Sequence, residues 1–108
     1  MDCLKQETEN FIEQIKSTEI FQNYNEKKIA LKQDSDLWYA TCQYRRDRFE
    51  MQRNTAEEEL YDRIDDFEKN YRELLEKKSV ADYLDAEVSM CRLLQNISVS
   101  LIQALEFE

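Results

Sequence analysis

The sequence predicts an all-α protein, and three features indicate this. It contains no glycine and no proline, so tight hairpin turns and breaks within helices are disfavoured. Charged residues make up 36% of the chain, which is typical of long amphipathic helices. Apolar residues recur every three or four positions along most of its length. We therefore expect one domain over residues 1–108, an elongated antiparallel bundle of about four to five helices. The long C-terminal helix should lie at the core and at a dimer interface.

Capping residues mark the predicted helix starts. Residues 17–19 (STE), 34–36 (DSD) and 79–82 (SVAD) each combine a capping side chain with an acid in the following turn. Thr55 and Glu58 also have the spacing of a capping box. The stretch from 36 to 77 is therefore compatible with one long helix or with two.

A regular seam follows this point. Its apolar residues alternate steps of four and three, and they are Leu60, Ile64, Phe67, Tyr71 and Leu74. This is heptad spacing over two repeats, which predicts helix–helix packing of coiled-coil character.

The last segment, residues 80–107, is apolar around most of its circumference. A helix of this kind must be covered on most sides, and this one would be about 40 Å long. One short chain buries too little surface to cover it, so we expect a homo-oligomer, a dimer or larger. The predicted interface residues are Trp38, Leu60, Ile64, Phe67, Tyr71, Leu84, Val88, Leu94, Ile97 and Leu101.

Trp38 lies just inside a predicted helix start, beside Tyr39. A tryptophan in this position is a candidate interface anchor. It can equally pack inside the core of its own chain.

The composition argues against catalysis. The chain contains no histidine, so the commonest general base and metal ligand are both absent. No nucleophile–base pair, phosphate-binding loop or metal motif is present. We therefore predict a non-enzyme without a cofactor or a bound metal.

The net charge of −9 makes nucleic-acid binding over the whole surface improbable. Arg45, Arg46 and Arg48 nevertheless form a local basic cluster, with Arg53 nearby. Arginines among aromatic residues can hold single-stranded RNA, which is one alternative function. They can also dock an acidic partner or pair with acids of the same chain, and the net charge favours this second interpretation.

The three cysteines, Cys3, Cys42 and Cys91, are widely spaced. We expect Cys42 and Cys91 to be small buried hydrophobes and Cys3 to be an exposed thiol near the terminus. The alternative is a redox or iron–sulfur sensor in which two subunits pool their thiolates.

We also expect a cytoplasmic protein. The first ten residues (MDCLKQETEN) carry acids and no apolar segment, unlike a secretory signal. The apolar runs are shorter than the roughly 20 residues that a membrane span needs.

Carboxylates are dense between residues 57 and 68. A weak cation site is one interpretation, and a solvated outer helix face is the favoured one. Glu87 interrupts the apolar last helix, so we expect it either to pair with an arginine across an interface or to lie on the polar edge.

Several segments, in order along the chain, resemble the bacterial YlbF/YmcA family. They are residues 15–24 (IKSTEIFQNY), 31–38 (LKQDSDLW), 44–52 (YRRDRFEMQ), 81–87 (ADYLDAE) and 91–95 (CRLLQ). In residues 31–38, Ser35 replaces the proline of the family's connector.

The resemblance implies a helical, dimer-forming cytoplasmic protein of bacteria that regulates by assembling with related YlbF/YmcA subunits. It also implies an influence on the endoribonuclease RNase Y, on mRNA processing, and so on competence, sporulation and biofilm formation. Some family complexes bind iron–sulfur clusters through cysteines of a C-terminal tail. No such tail follows residues 106–108 here, so we do not expect cluster binding.

Overall fold

The structure, a computed structural model, describes residues 2–107. Its helices are α1 (Asp2–Lys16), α2 (Glu19–Lys32), α3 (Ser35–Arg53), a 3-10 turn (Glu57–Glu59), α4 (Leu60–Asn70), α5 (Arg72–Leu75) and α6 (Lys78–Leu105). No strand occurs among the described residues. The all-α prediction is confirmed. The number of helices exceeds the expected four to five because the middle of the chain is interrupted more often than its sequence suggests.

Two of the predicted helix starts are confirmed by side-chain caps. Thr18 Oγ1 accepts a hydrogen bond from the Phe21 backbone N–H at 3.1 Å. Asp34 Oδ1 accepts one from the Leu37 N–H at 3.1 Å. Each cap satisfies a backbone donor that has no partner within the helix, and together they fix where α2 and α3 begin.

The predicted cap at Ser79 is wrong. Helix α6 begins at Lys78, and the Ala81 N–H donates to the Lys77 carbonyl at 2.9 Å. Asp82 lies within the helix, where one carboxylate oxygen is 3.0 Å from Lys78 Nζ. Asp82, which the sequence pattern assigned to capping, thus forms an i,i+4 ion pair with Lys78 on the helix surface.

Residues 36–77 form neither one helix nor two, because they contain α3, the 3-10 turn, α4 and α5. Thr55 Oγ1 donates to the Met51 carbonyl at 2.6 Å, so its hydroxyl closes the end of α3 instead of capping a new helix. Ala56 is extended, with φ −63° and ψ 145°. A further interruption lies at Tyr71, between α4 and α5. The proposed capping box at Thr55 and Glu58 is therefore wrong.

The described chain divides into two compact units. We call residues 29–82 the central unit, and residues 2–28 together with 83–107 the terminal unit. The expectation of a single domain over residues 1–108 stays a prediction.

The central unit has a packed interior. Leu31, Tyr44 and Val80 are between 0% and 3% exposed, and α3 packs against α4 and α5, in agreement with the predicted bundle. The buried hydroxyl of Thr41 donates to the Leu37 carbonyl at 2.7 Å, and this hydrogen bond compensates for its loss of contact with water.

The terminal unit buries less of its apolar surface. Tyr83 and Ala86 are buried, and the rings of Tyr24 and Tyr83 lie 5.8 Å apart. Many other large apolar side chains of α1 and α6 face solvent. Within residues 2–107, no helix combines the length and the hydropathy that a membrane crossing requires.

Candidate functional site

The most extensive exposed apolar surface lies on α6, and we call it the α6 apolar face. Its side chains are between 46% and 74% exposed, and they are Val88, Leu94, Val99, Leu101, Ile102 and Leu105. Successive helix residues are rotated by about 100°. Tyr83 and Ala86 therefore fall on one side of α6 and Val88 and Val99 on another, so the helix has more apolar surface than the terminal unit covers.

A groove between α1 and α6 adjoins this face. It has a volume of about 450 Å³, and its walls are Phe11, Asn96, Ile97, Ser100, Leu101 and Ala104. A second groove of about 360 Å³ shares Phe11 and Ile97 with it. Phe11 and Ile12 of α1 are themselves 42% and 43% exposed. The apolar surface of the terminal unit therefore includes part of α1, which the predicted interface set omitted.

The predicted interface residues of α6 differ in exposure. Val88, Leu94 and Leu101 are exposed, whereas Leu84 and Ile97 are half-buried. Exposed positions are available to a partner chain, and half-buried positions contribute to both the interior and the surface. The interface role of all five stays a prediction.

The predicted seam of α4 packs within the central unit. Leu60, Ile64, Phe67 and Tyr71 are half-buried. The ring of Tyr44 on α3 lies 5.8 Å from that of Phe67 and 5.1 Å, edge to face, from that of Tyr71. The heptad spacing is thus used at least in part to pack α4 onto α3 of the same chain, and the predicted intermolecular role of these residues stays a prediction.

Trp38 is half-buried. The ammonium group of Lys32 lies 5.2 Å from the centre of its indole ring, a cation–π distance. Trp38 thus makes a contact within the central unit and keeps part of its surface accessible, so its predicted role as an anchor stays a prediction.

A hydrogen-bond network joins α3 to the interruption between α4 and α5. The Tyr71 hydroxyl donates to Asp47 Oδ2 at 2.6 Å, and Gln43 Nε2 donates to Asp47 Oδ1 at 3.0 Å. The hydrogen bond that the Tyr71 hydroxyl donates to Asp47 raises the pKa of Tyr71, and partial burial raises it further, to about 12. Sequence reasoning missed this network, because no local pattern links residues 24 positions apart.

The arginines of the predicted cluster have different surroundings in the structure. Arg48 Nη1 donates to the Tyr44 hydroxyl at 3.1 Å and lies 3.3 Å from Glu68 Oε1. This arginine therefore pairs with an acid of its own chain, one of the outcomes expected from the sequence. Arg45 and Arg46 are exposed, and Arg46 Nη1 lies 3.5 Å from Gln43 Oε1.

None of the three cysteines lies in a disulfide. Cys91 is exposed, so its predicted burial is wrong: it lies between Val88 and Leu94 on the uncovered side of α6. Cys42 is half-buried, so it is less covered than predicted. Cys3 is exposed, as expected for a thiol near the terminus.

The carboxylates between residues 57 and 68 are exposed apart from Glu68, which agrees with a solvated helix face. Glu87 is half-buried. No group of three or more metal-ligating side chains is found within residues 2–107.

The sequence matches a known family over nearly its whole length. The family described as "Control of competence regulator ComK, YlbF/YmcA" matches residues 4–106. The chain belongs to the YlbF/YmcA family. This description places it among regulatory proteins, and a YlbF/YmcA protein is expected to act through protein interactions. No curated protein and no solved structure gives a significant match to the chain.

Proposed function

We propose that the chain is a non-catalytic regulator that acts in the cytoplasm by binding protein chains. One of these is a second copy of itself, which binds to the α6 apolar face. The observation that carries this proposal is the exposure of six large apolar side chains along one helix. Contiguous exposed apolar surface of this kind usually marks an interaction site.

The energetics are compatible with a stable assembly. Fully burying a large apolar side chain is worth about 1.5–3 kcal/mol. Burying the exposed halves of six such side chains would therefore contribute on the order of 5 kcal/mol per protomer. Two protomers together reach the range of about 4–15 kcal/mol that association costs. Contacts from α1 would add to this.

The proposed downstream role is modulation of RNase Y-dependent mRNA processing, and through it of developmental pathways, together with other YlbF/YmcA-type subunits. The family's description as controlling the competence regulator ComK supports a role in development.

The test is light scattering coupled to size exclusion at micromolar concentration. We expect a dimer or larger for the unmodified chain, and a monomer for Val88→Glu combined with Val99→Glu. These residues are 48% and 50% exposed, and glutamate is the better helix former, so the helix content should persist.

The matched control adds the same two charges outside the α6 apolar face. Ser89 on the polar side of α6 and Gln22 on α2 are exposed, and Ser89→Glu with Gln22→Glu should leave the assembly unchanged. A monomeric unmodified chain at micromolar concentration would overturn the proposal, as would equal dissociation by both pairs of substitutions.

A further inference from the structure

A second surface lies on α3, in the central unit, and we call it the α3 stripe. It consists of Tyr39, Cys42, Arg46, Phe49 and Arg53. These residues are separated by steps of three, four, three and four, so they share one side of the helix. Tyr44 and Asp47, which contact Tyr71, fall on the other side of α3. The α3 stripe is therefore distinct from the surface that packs on α4 and α5.

The α3 stripe is open to solvent. Tyr39 is 72% and Phe49 is 61% exposed, Arg46 and Arg53 are exposed, and Cys42 is half-buried. Within residues 2–107, neither Arg46 nor Arg53 forms an ion pair. Two large aromatic rings and two available guanidinium groups thus alternate along about 20 Å of helix.

These side chains match the anchors of protein interfaces. Tyrosine and arginine are enriched among the residues that contribute most to binding energy. Aromatic rings give a large contact area with few rotatable bonds, and a guanidinium group can form two parallel hydrogen bonds to one carboxylate.

We propose that the α3 stripe docks an acidic amphipathic helix of another protein. The heptad spacing is that with which one helix meets another, so a helix fits it better than a loop. The two arginines require carboxylates on that helix. Because the chain carries a net charge of −9, most of its surface repels an acidic partner, and the basic stripe therefore fixes where the partner binds.

An RNA strand fits the same surface less well. Glu50 is exposed on α3, four residues after Arg46. RNA carries a charge at every nucleotide and cannot avoid this carboxylate, whereas a partner helix can place a neutral residue opposite it. Binding of RNA is an outcome that the experiment distinguishes.

The test uses a fluorescein-labelled peptide of about three heptads, with leucine at the a positions, alanine at d and glutamate at e and g. Fluorescence anisotropy at low salt should show saturable binding to the full chain. Raising the salt to about 1 M should weaken it, because charges at a surface are screened. A peptide with lysine in place of glutamate should not bind.

Matched variants locate the site. Arg46→Glu with Arg53→Glu should weaken binding at least tenfold, and Tyr39→Ala should weaken it about threefold to tenfold. Arg63→Glu with Arg72→Glu makes the same charge change at exposed positions outside the α3 stripe and should leave binding within twofold. Circular dichroism checks that each variant keeps its helix content.

Three results would overturn the proposal: no binding of the acidic peptide, equal loss with both arginine pairs, or tighter binding of a uridine-rich RNA that the Arg46 and Arg53 substitutions abolish. The Val88→Glu/Val99→Glu variant separates this site from the α6 apolar face. It should bind the peptide as the unmodified chain does, whatever its own state of assembly.

Discussion

The central and terminal units are both helical, but they differ in how far contacts within the chain bury and hydrogen-bond their side chains. In the central unit, Tyr44 is buried against Phe67 and Tyr71, and Asp47 accepts two hydrogen bonds. In the terminal unit, α6 leaves a row of large apolar side chains uncovered. The difference indicates that the central unit is stabilised by contacts within the chain, and that the terminal unit is where a partner would add most stability.

The largest expected effect is on the core of the central unit. Tyr44→Ala removes an aromatic side chain that is 3% exposed and should lower the free energy of unfolding by about 3–5 kcal/mol. In the Val88→Glu/Val99→Glu background, in which we expect the α6 apolar face to be unassembled, Leu105→Ala at a position that is 74% exposed should change it by less than about 0.5 kcal/mol. Urea unfolding followed by circular dichroism measures both. Equal effects would contradict the contrast between the units.

The next effect concerns the link between Tyr71 and Asp47. Tyr71→Phe should cost about 1.5–3 kcal/mol, since it removes a hydrogen bond to a charged acceptor. The ring contacts with Tyr44 and Phe67 persist in this variant, so the loss reports on the hydroxyl alone.

The same link predicts a pH dependence. The pKa of Tyr71 is about 12 in the folded chain and about 10 in an unfolded one. Because the folded value is the higher, this stabilisation is complete below pH 10 and is lost as the pH rises towards 12. The urea midpoint of the unmodified chain should therefore fall more steeply over this range than that of Tyr71→Phe. Parallel curves would contradict the assignment.

A smaller effect is expected at the start of α3. Asp34→Ala removes the cap on the Leu37 N–H and should cost about 0.5–2 kcal/mol. Asp36→Ala removes a neighbouring acid that interacts only with the helix dipole, worth about 0.3–1 kcal/mol. Thermal unfolding compares the stabilities of the two variants. A larger loss of stability for Asp36→Ala than for Asp34→Ala would contradict the predicted order.

The smallest effect should come from the Arg48–Glu68 pair. Both side chains are more than a third exposed, at 38% and 39%, and exposed pairs contribute about 0–1 kcal/mol. Glu68→Gln should therefore lower stability by less than about 1 kcal/mol, and the difference should vanish at high salt. A loss above about 2 kcal/mol would mean that the pair is far better shielded than its exposure indicates.

What the sequence could predict depended on the distance between the interacting residues. The caps at Thr18 and Asp34 were predictable because each joins residues three positions apart. The seam of α4 was recognisable from its period, but not the α3 surface on which it packs. The link from Tyr71 to Asp47 spans 24 residues, and only the tertiary structure brings these residues together.

The prediction that Cys91 is buried was wrong for a different reason. A helix that is apolar nearly all round has no single apolar side, so the pattern does not specify which residues face inward. Tyr83 and Ala86 are buried in α6, whereas Cys91 and Val88 face outward. The α3 stripe was not recognised as one surface because the arginines were considered together, without separating Arg48, which pairs with Glu68, from Arg46.

The exposed position of Cys91 provides a direct test of assembly through the α6 apolar face. In a chain carrying Cys3→Ser and Cys42→Ser, Cys91 is the remaining thiol, and its alkylation rate can be followed from nanomolar to high micromolar protein. We predict that alkylation slows as the concentration rises, and that Val88→Glu with Val99→Glu abolishes this dependence. If the chain without the Val88 and Val99 substitutions were alkylated at the same rate at every concentration, the central claim of assembly through the α6 apolar face would be contradicted.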